Sequence, residues 1–165
     1  MSKKVAVLMG SGSDLPKIQN CIDTLKALQI PVVVRIMSAH RTPEAVAQFA
    51  GRAAADGFGV IIAAAGAAAH LAGAVAANTM LPVIGIPVEG GAFKGMDALL
   101  STVQMPGGIP VAAVGVGSGG ATNAALLAAQ MLAIEDDEVR RQLAADRQAR
   151  REKVIAADRE LNGGA

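Results

Sequence analysis

The sequence contains two histidines, His40 and His70. Histidine is the side chain best suited to moving protons near neutral pH. His40 stands in the run Ser38-Ala39-His40-Arg41-Thr42-Pro43. The guanidinium of Arg41 can grip a phosphate through two parallel hydrogen bonds. An imidazole next to it, in its neutral form, can serve as a general base. A second cluster is Gly10-Ser11-Gly12-Ser13-Asp14, where glycines allow a tight turn and hydroxyls and amides meet a helix start that favours an anion. Ser13 and Asp14 there also read as simple helix caps. A third is Ala64-Ala65-Gly66-Ala67-Ala68-Ala69-His70-Leu71, almost wholly apolar. Such a wall suits a small neutral species, such as carbon dioxide, held away from water. Taken alone, His70 reads as a pocket-shaping residue.

Other chemistries lack their residues. The first loop has Gly10 and Gly12, but Leu15 falls where the dinucleotide fingerprint needs a third glycine. Gly115-Val116-Gly117-Ser118-Gly119-Gly120 resembles a phosphate cradle, yet no lysine follows it as a nucleoside triphosphate would require. There is no Gly-x-Ser-x-Gly elbow. Cys21 is the single cysteine, so internal disulfides and multi-cysteine metal sites are excluded, and a reducing cytoplasm is expected. Two histidines thirty residues apart make no zinc motif, and no metal is expected. The net charge of +1 carries no footprint for nucleic acid. With no Trp, no Tyr and three Phe, stacking platforms for single strands are lacking too. The start, Met-Ser-Lys-Lys-Val-Ala-Val, is too quickly interrupted for a signal peptide. No apolar run reaches the length of a membrane span.

What remains is an acid–base histidine beside an anion-binding pocket, and the elements that must hold it follow from periodicity. Short apolar runs at Val5–Met9, Val32–Met37, Val60–Ala64, Val83–Ile86 and Val111–Val116 predict strands covered on both faces. Between them Ile18, Cys21, Ile22, Leu25 and Leu28 recur at helical spacing, as do Val46, Phe49, Ala50, Ala53 and Ala54. Thr42-Pro43-Glu44 reads as a helix start with a capping hydroxyl, and Gly57 as the stop that follows. Alternating strands and helices imply an α/β fold with right-handed crossovers: a three-layer, doubly wound parallel sheet of about five strands. In such a sheet ligands lie beyond the carboxyl ends of the strands, where these loops fall. The stretch from Gly90 to Gly108 predicts a lid or a subunit contact. Ala and Gly make up 54 of the 165 residues, so backbones must pack closely. A chain of 165 residues suits one domain, with a catalytic body at 1–134 and a charged tail at 135–165. From Glu135 to Glu160 there are 8 acids and 7 bases, which predicts a solvated helix or an arm that packs on another subunit.

Together, Met9-Gly10-Ser11-Gly12-Ser13-Asp14, Ser38-Ala39-His40-Arg41-Thr42-Pro43, His70-Leu71 and the run Asp97 to Pro106 resemble the N5-carboxyaminoimidazole ribonucleotide mutases of bacterial purine synthesis. The resemblance runs from about residue 4 to about residue 134. It implies a flavodoxin-like fold, a cytoplasmic homo-octamer and a carboxylate shift from the exocyclic nitrogen of a ribonucleotide to imidazole C4. Carbon dioxide would be released and re-added in the pocket, with no metal or other cofactor. It implies that Ser11, Ser13 and Asp14 bind the ribonucleotide and that Arg41 grips its phosphate. His40 would handle the protons, while Ser38, Gly66 and His70 line the pocket. Ala64, Ala67, Ala72 and Glu89-Gly90-Gly91 depart from the usual sequence of these enzymes. An alanine at position 67 would be strained if its φ were positive.

Three rivals stand beside this reading. An aminoimidazole ribonucleotide carboxylase would use free carbon dioxide on the same fold, but that branch tends to carry lysine after the histidine and to lack the His-Leu pair. A related carboxylase could act on another nucleotide. A nucleotide-binding oligomeric scaffold would need no acid–base residue.

Overall fold

The computed structural model describes residues 3–163; Met1 and Ser2 of the chain start, and the last two residues of the 135–165 tail, lie outside that range. Five strands, β1 (Lys4–Met9), β2 (Val32–Ile36), β3 (Phe58–Ala65), β4 (Val83–Pro87) and β5 (Ala112–Ala113), pair in parallel in the order β2-β1-β3-β4-β5. Six helices connect and flank them: α1 (Leu15–Ala27), α2 (Pro43–Arg52), α3 (Leu71–Ala76), α4 (Met96–Val103), α5 (Ser118–Leu132) and α6 (Asp137–Leu161). This is the flavodoxin-like doubly wound order. Pleating divides β1 between two cores. Val5, Val7 and Met9 face one core with Ile18, Cys21 and Leu25 of α1 and the buried alanines of α5. Ala6 and Leu8 face the other with Val46 and Ala50 of α2 and Leu71 and Val75 of α3. Each fully buried Val, Leu or Ile contributes about 1.5–3 kcal/mol of hydrophobic stabilisation.

Small residues let these layers close. A Cβ at Gly120 would collide with the carbonyl oxygen of Gly115, so the first turn of α5 sits directly on the loop before it. A Cβ on Gly85 of β4 would strike Thr102 of α4. α4 therefore packs against backbone, burying Ala98 and Thr102.

The central strands follow their sequence pattern and the edges do not. β2 is not covered on both faces: Ile36 is 62% exposed and Val34 37%. It is an edge strand that pairs only with β1. β5 shrinks from the expected six residues to two, followed by Val114 N–H donating to Gly85 C=O. Gly117 at φ +85° turns the chain into α5 soon afterwards. Thr42 precedes α2 but its hydroxyl does not cap it. The hydroxyl instead accepts from Ser38 N–H at 2.9 Å and lies 3.2 Å from Ser38 C=O, closing the loop that carries His40. Gly57 follows α2 at φ +84°, as expected of a stop. The 90–108 stretch, expected as a lid or a subunit contact, holds α4 at its middle, with Ala98 and Thr102 buried. The tail forms α6, capped by the Asp136 side chain. Val139 docks it into the core, and Arg140 donates to Ala133 C=O at 2.8 Å. Beyond its first turns α6 is exposed.

Candidate active site

The carboxyl ends of β1, β2, β3 and β4 open into one cleft of about 300 Å³. Gly10, Ser11 and Asp14 reach it after β1; Ser38, Ala39, His40 and Arg41 after β2; Ala65 to Ala68, His70 and Leu71 after β3; and Val88 to Gly91 after β4. Seven of the eight residues named from sequence line it: Ser11, Asp14, Ser38, His40, Arg41, Gly66 and His70. Ser13 does not. It sits in a 3-10 turn (Gly12–Asp14), where its N–H donates to the Ser11 hydroxyl and its own hydroxyl lies 2.9 Å from that of Ser11.

Each wall has a local cause. Asp14 precedes α1 without capping it, so its carboxylate is left for the cleft. Asp14 is only 8% exposed. Burial pushes its carboxyl above the ordinary value of 3.8, an effect partly offset by Lys17, the Ser11 backbone and Arg41. Arg41 is fastened at its base: its backbone N–H donates to the Ser38 hydroxyl at 3.2 Å, and Nη2 donates to Gly10 C=O at 3.1 Å. One edge of the fork is thereby held, and the remaining N–H donors are left for an anion.

The two histidines meet. His40 Nε2 lies 2.8 Å from His70 Nδ1, with ring centroids 4.9 Å apart and planes at 85°. His70 thus lines the cleft and also contacts the His40 ring. Around it the apolar surface expected from sequence is present in Ala65, Ala67, Ala68, Leu71 and Val88. Ala67 takes φ +53°, the left-handed region that disfavours a side chain.

Sequence reasoning missed Lys17, which also lines the cleft. Lys17 Nζ donates to Glu89 C=O at 2.7 Å, tying the start of α1 to the loop after β4 across the cleft rim. Its position one turn after Asp14 was the available signal. Among the described residues, no group of three or more His, Cys, Asp or Glu side chains could hold a metal ion.

Comparison with known proteins agrees with this geometry. Residues 4–153 match the AIR carboxylase family. The chain is 53% identical, over 93% of its length and 95% of the relative's, to the N5-carboxyaminoimidazole ribonucleotide mutase of Brucella melitensis. It is 50% identical to that of Mycobacterium tuberculosis, covering 96% of this chain and 90% of that one. The crystal structure of Treponema denticola PurE superposes with a TM-score of 0.86 at 32% identity, covering 95% of this chain and 97% of that one. With the family match, the relatives' sequences and the superposed fold each spanning nearly its whole length, the chain belongs to the AIR carboxylase family.

Proposed function

We propose that the protein is an isomerase of purine biosynthesis that converts N5-carboxyaminoimidazole ribonucleotide to 4-carboxy-5-aminoimidazole ribonucleotide, using the His40–His70 cleft. The relatives' activity and the full-length similarity support the reaction. The observation that carries the use of this cleft is the histidine pair, set between the Arg41 guanidinium and an apolar wall.

Arg41 takes the phosphate of the ribonucleotide, while Ser11, Ser38 and Asp14 hold its polar groups. Gly66 and the alanines beside it face the imidazole. His40 enters carrying a proton and gives it to the exocyclic nitrogen as the bond to the carbamate carbon breaks. The bonding pair stays on nitrogen and carbon dioxide leaves. The apolar wall keeps that molecule from hydrating or escaping. Imidazole C4 then attacks it, forming the carbon–carbon bond, and His40 takes back the proton displaced from C4. No proton is gained or lost overall, as an isomerisation requires. His70 holds the His40 ring in place between the two transfers.

The assembly is a homo-oligomer, an octamer by resemblance, and its compartment is the cytoplasm. Support for the assembly comes from exposed apolar residues on α4, where Met96, Leu100 and Val103 recur at helical spacing beside Phe93. The outer part of α6 offers Val154 and Leu161 as well. The lone cysteine, buried as a free thiol, fits a reducing compartment. Sedimentation at micromolar concentration should give a particle well above 16.6 kDa, and Leu100→Glu should shrink it. A monomer would overturn the assembly.

The decisive assay compares the carbamate ribonucleotide with the free amine plus bicarbonate. Fast conversion of the first and slow conversion of the second is the expected result. Equal use of bicarbonate would favour a carboxylase, and turnover of neither would favour a binding scaffold.

A further inference from the structure

The run Asp97 to Pro106 stands out in the sequence, yet none of its residues lines the cleft. Ser101 in α4 nevertheless reaches the loop behind the histidine pair. Its hydroxyl oxygen accepts the N–H of Ala69 at 3.0 Å and lies 2.8 Å from Asp97 C=O, to which it donates. The carbonyls of Ala98 and Ala67 lie farther off, at 3.2 and 3.4 Å. Ala69, immediately before His70, is 2% exposed, so without Ser101 its N–H would be buried and unpaired. Among the described residues, the side-chain hydrogen bonds into residues 66–69 all come from Ser101.

We propose that Ser101 is a positioning residue: through Ala69 it holds His70 at hydrogen-bond distance from His40. The inference rests on the acid–base reading of that pair. The loop needs such a hold because Ala67 is in a left-handed conformation that alanine does not favour. His70 also stands at the start of α3, a helix of six residues that it does not cap through its side chain. A hydroxyl rooted in α4, which packs on β4 through Thr102 and Gly85, supplies a fixed anchor.

The test uses Ser101→Val and Ser101→Thr in the full-length protein, two side chains of one shape that differ in the hydroxyl. Crystal structures read the His40–His70 separation, and steady-state assays read kcat and KM on the carbamate ribonucleotide. Ser101→Val should move the histidines out of hydrogen-bond range and lower kcat several-fold, up to the about tenfold loss expected when His70 itself is removed, with KM within about twofold. Ser101→Thr should retain both the spacing and the rate. If Ser101→Val fails to fold, Ser101→Ala carries the same comparison with no added bulk. The proposal is overturned if the hydroxyl-free variant keeps the spacing and kcat and loses only thermal stability. It is also overturned if Ser101→Thr is as impaired as Ser101→Val. A wild-type protein inactive on the carbamate ribonucleotide would instead overturn the mutase reading, while the crystallographic spacing would still decide the role of Ser101.

Discussion

His40 Nε2 and His70 Nδ1 face each other at 2.8 Å. At that distance one nitrogen carries a hydrogen and the other accepts it, because two N–H groups could not approach so closely. The pair therefore holds one proton at this contact and fixes both rings. His40→Asn removes the titrating group and should lower turnover by at least about 10²-fold, the usual scale of general acid–base catalysis. His70→Asn should cost less, about tenfold, because it removes a support. Steady-state kinetics on both variants checks the order; the reverse order would make His70 the proton carrier.

Arg41→Lys keeps the charge and loses the planar fork. Its partners Ser38 and Gly10 would also lose a donor. A charge-assisted hydrogen bond contributes about 1.5–3 kcal/mol, so ribonucleotide binding should weaken about 10- to 100-fold with the fold intact. Calorimetric titration showing unchanged affinity would refute the assignment of Arg41 to the phosphate.

Asp14 places a carboxyl where burial raises its pKa. The protonated form is favoured on folding, so its contribution is present below the unfolded value and is lost as pH rises through the folded one. At neutral pH the ionised group therefore opposes folding. Asp14→Asn should raise the unfolding midpoint at pH 7, with the gain vanishing in acid, and should weaken nucleotide binding. Thermal melts at pH 7 and pH 3 read the first effect; a stability loss at pH 7 would contradict it.

Ala67 sits at φ +53°. Left-handed backbone costs a non-glycine residue about 1–2 kcal/mol, against about 0.5–1 kcal/mol of extra chain entropy for glycine. Ala67→Gly should therefore stabilise by up to about 1 kcal/mol, or about 2–4 °C in Tm. Calorimetry finding a lower Tm would show that the loop is held without strain.

Burial pushes the Cys21 thiol up to about 12. It should resist a thiol-specific reagent in the native protein and react at once in denaturant. Because the folded value is the higher one, Cys21 contributes stability that is intact below pH 9 and fades between there and about pH 12. Labelling of the native protein at neutral pH, without unfolding, would contradict this.

Residue order alone determined the central architecture. The runs at Val5, Val60 and Val83 are continuously apolar because strands inside a doubly wound sheet are buried on both faces, and the loops after them are where ligands must lie. His40 and Arg41 were legible as neighbours in one short loop. Other features depended on how separate crossovers stack. An edge strand carries the same apolar letters as a central one, so β2 and β5 read as fuller members of the sheet than they are. Thr42 reads as a cap, but only the closed loop shows its hydroxyl committed to Ser38. His70 lies thirty residues from His40, Lys17 seventy-two from Glu89, and Ser101 thirty-two from Ala69. Each pair meets because parallel pairing brings all strand ends to one edge, while the turn of each helix decides which side chain points there. Spacing along the chain carries neither fact, so the tertiary structure alone decided that the two histidines form a pair.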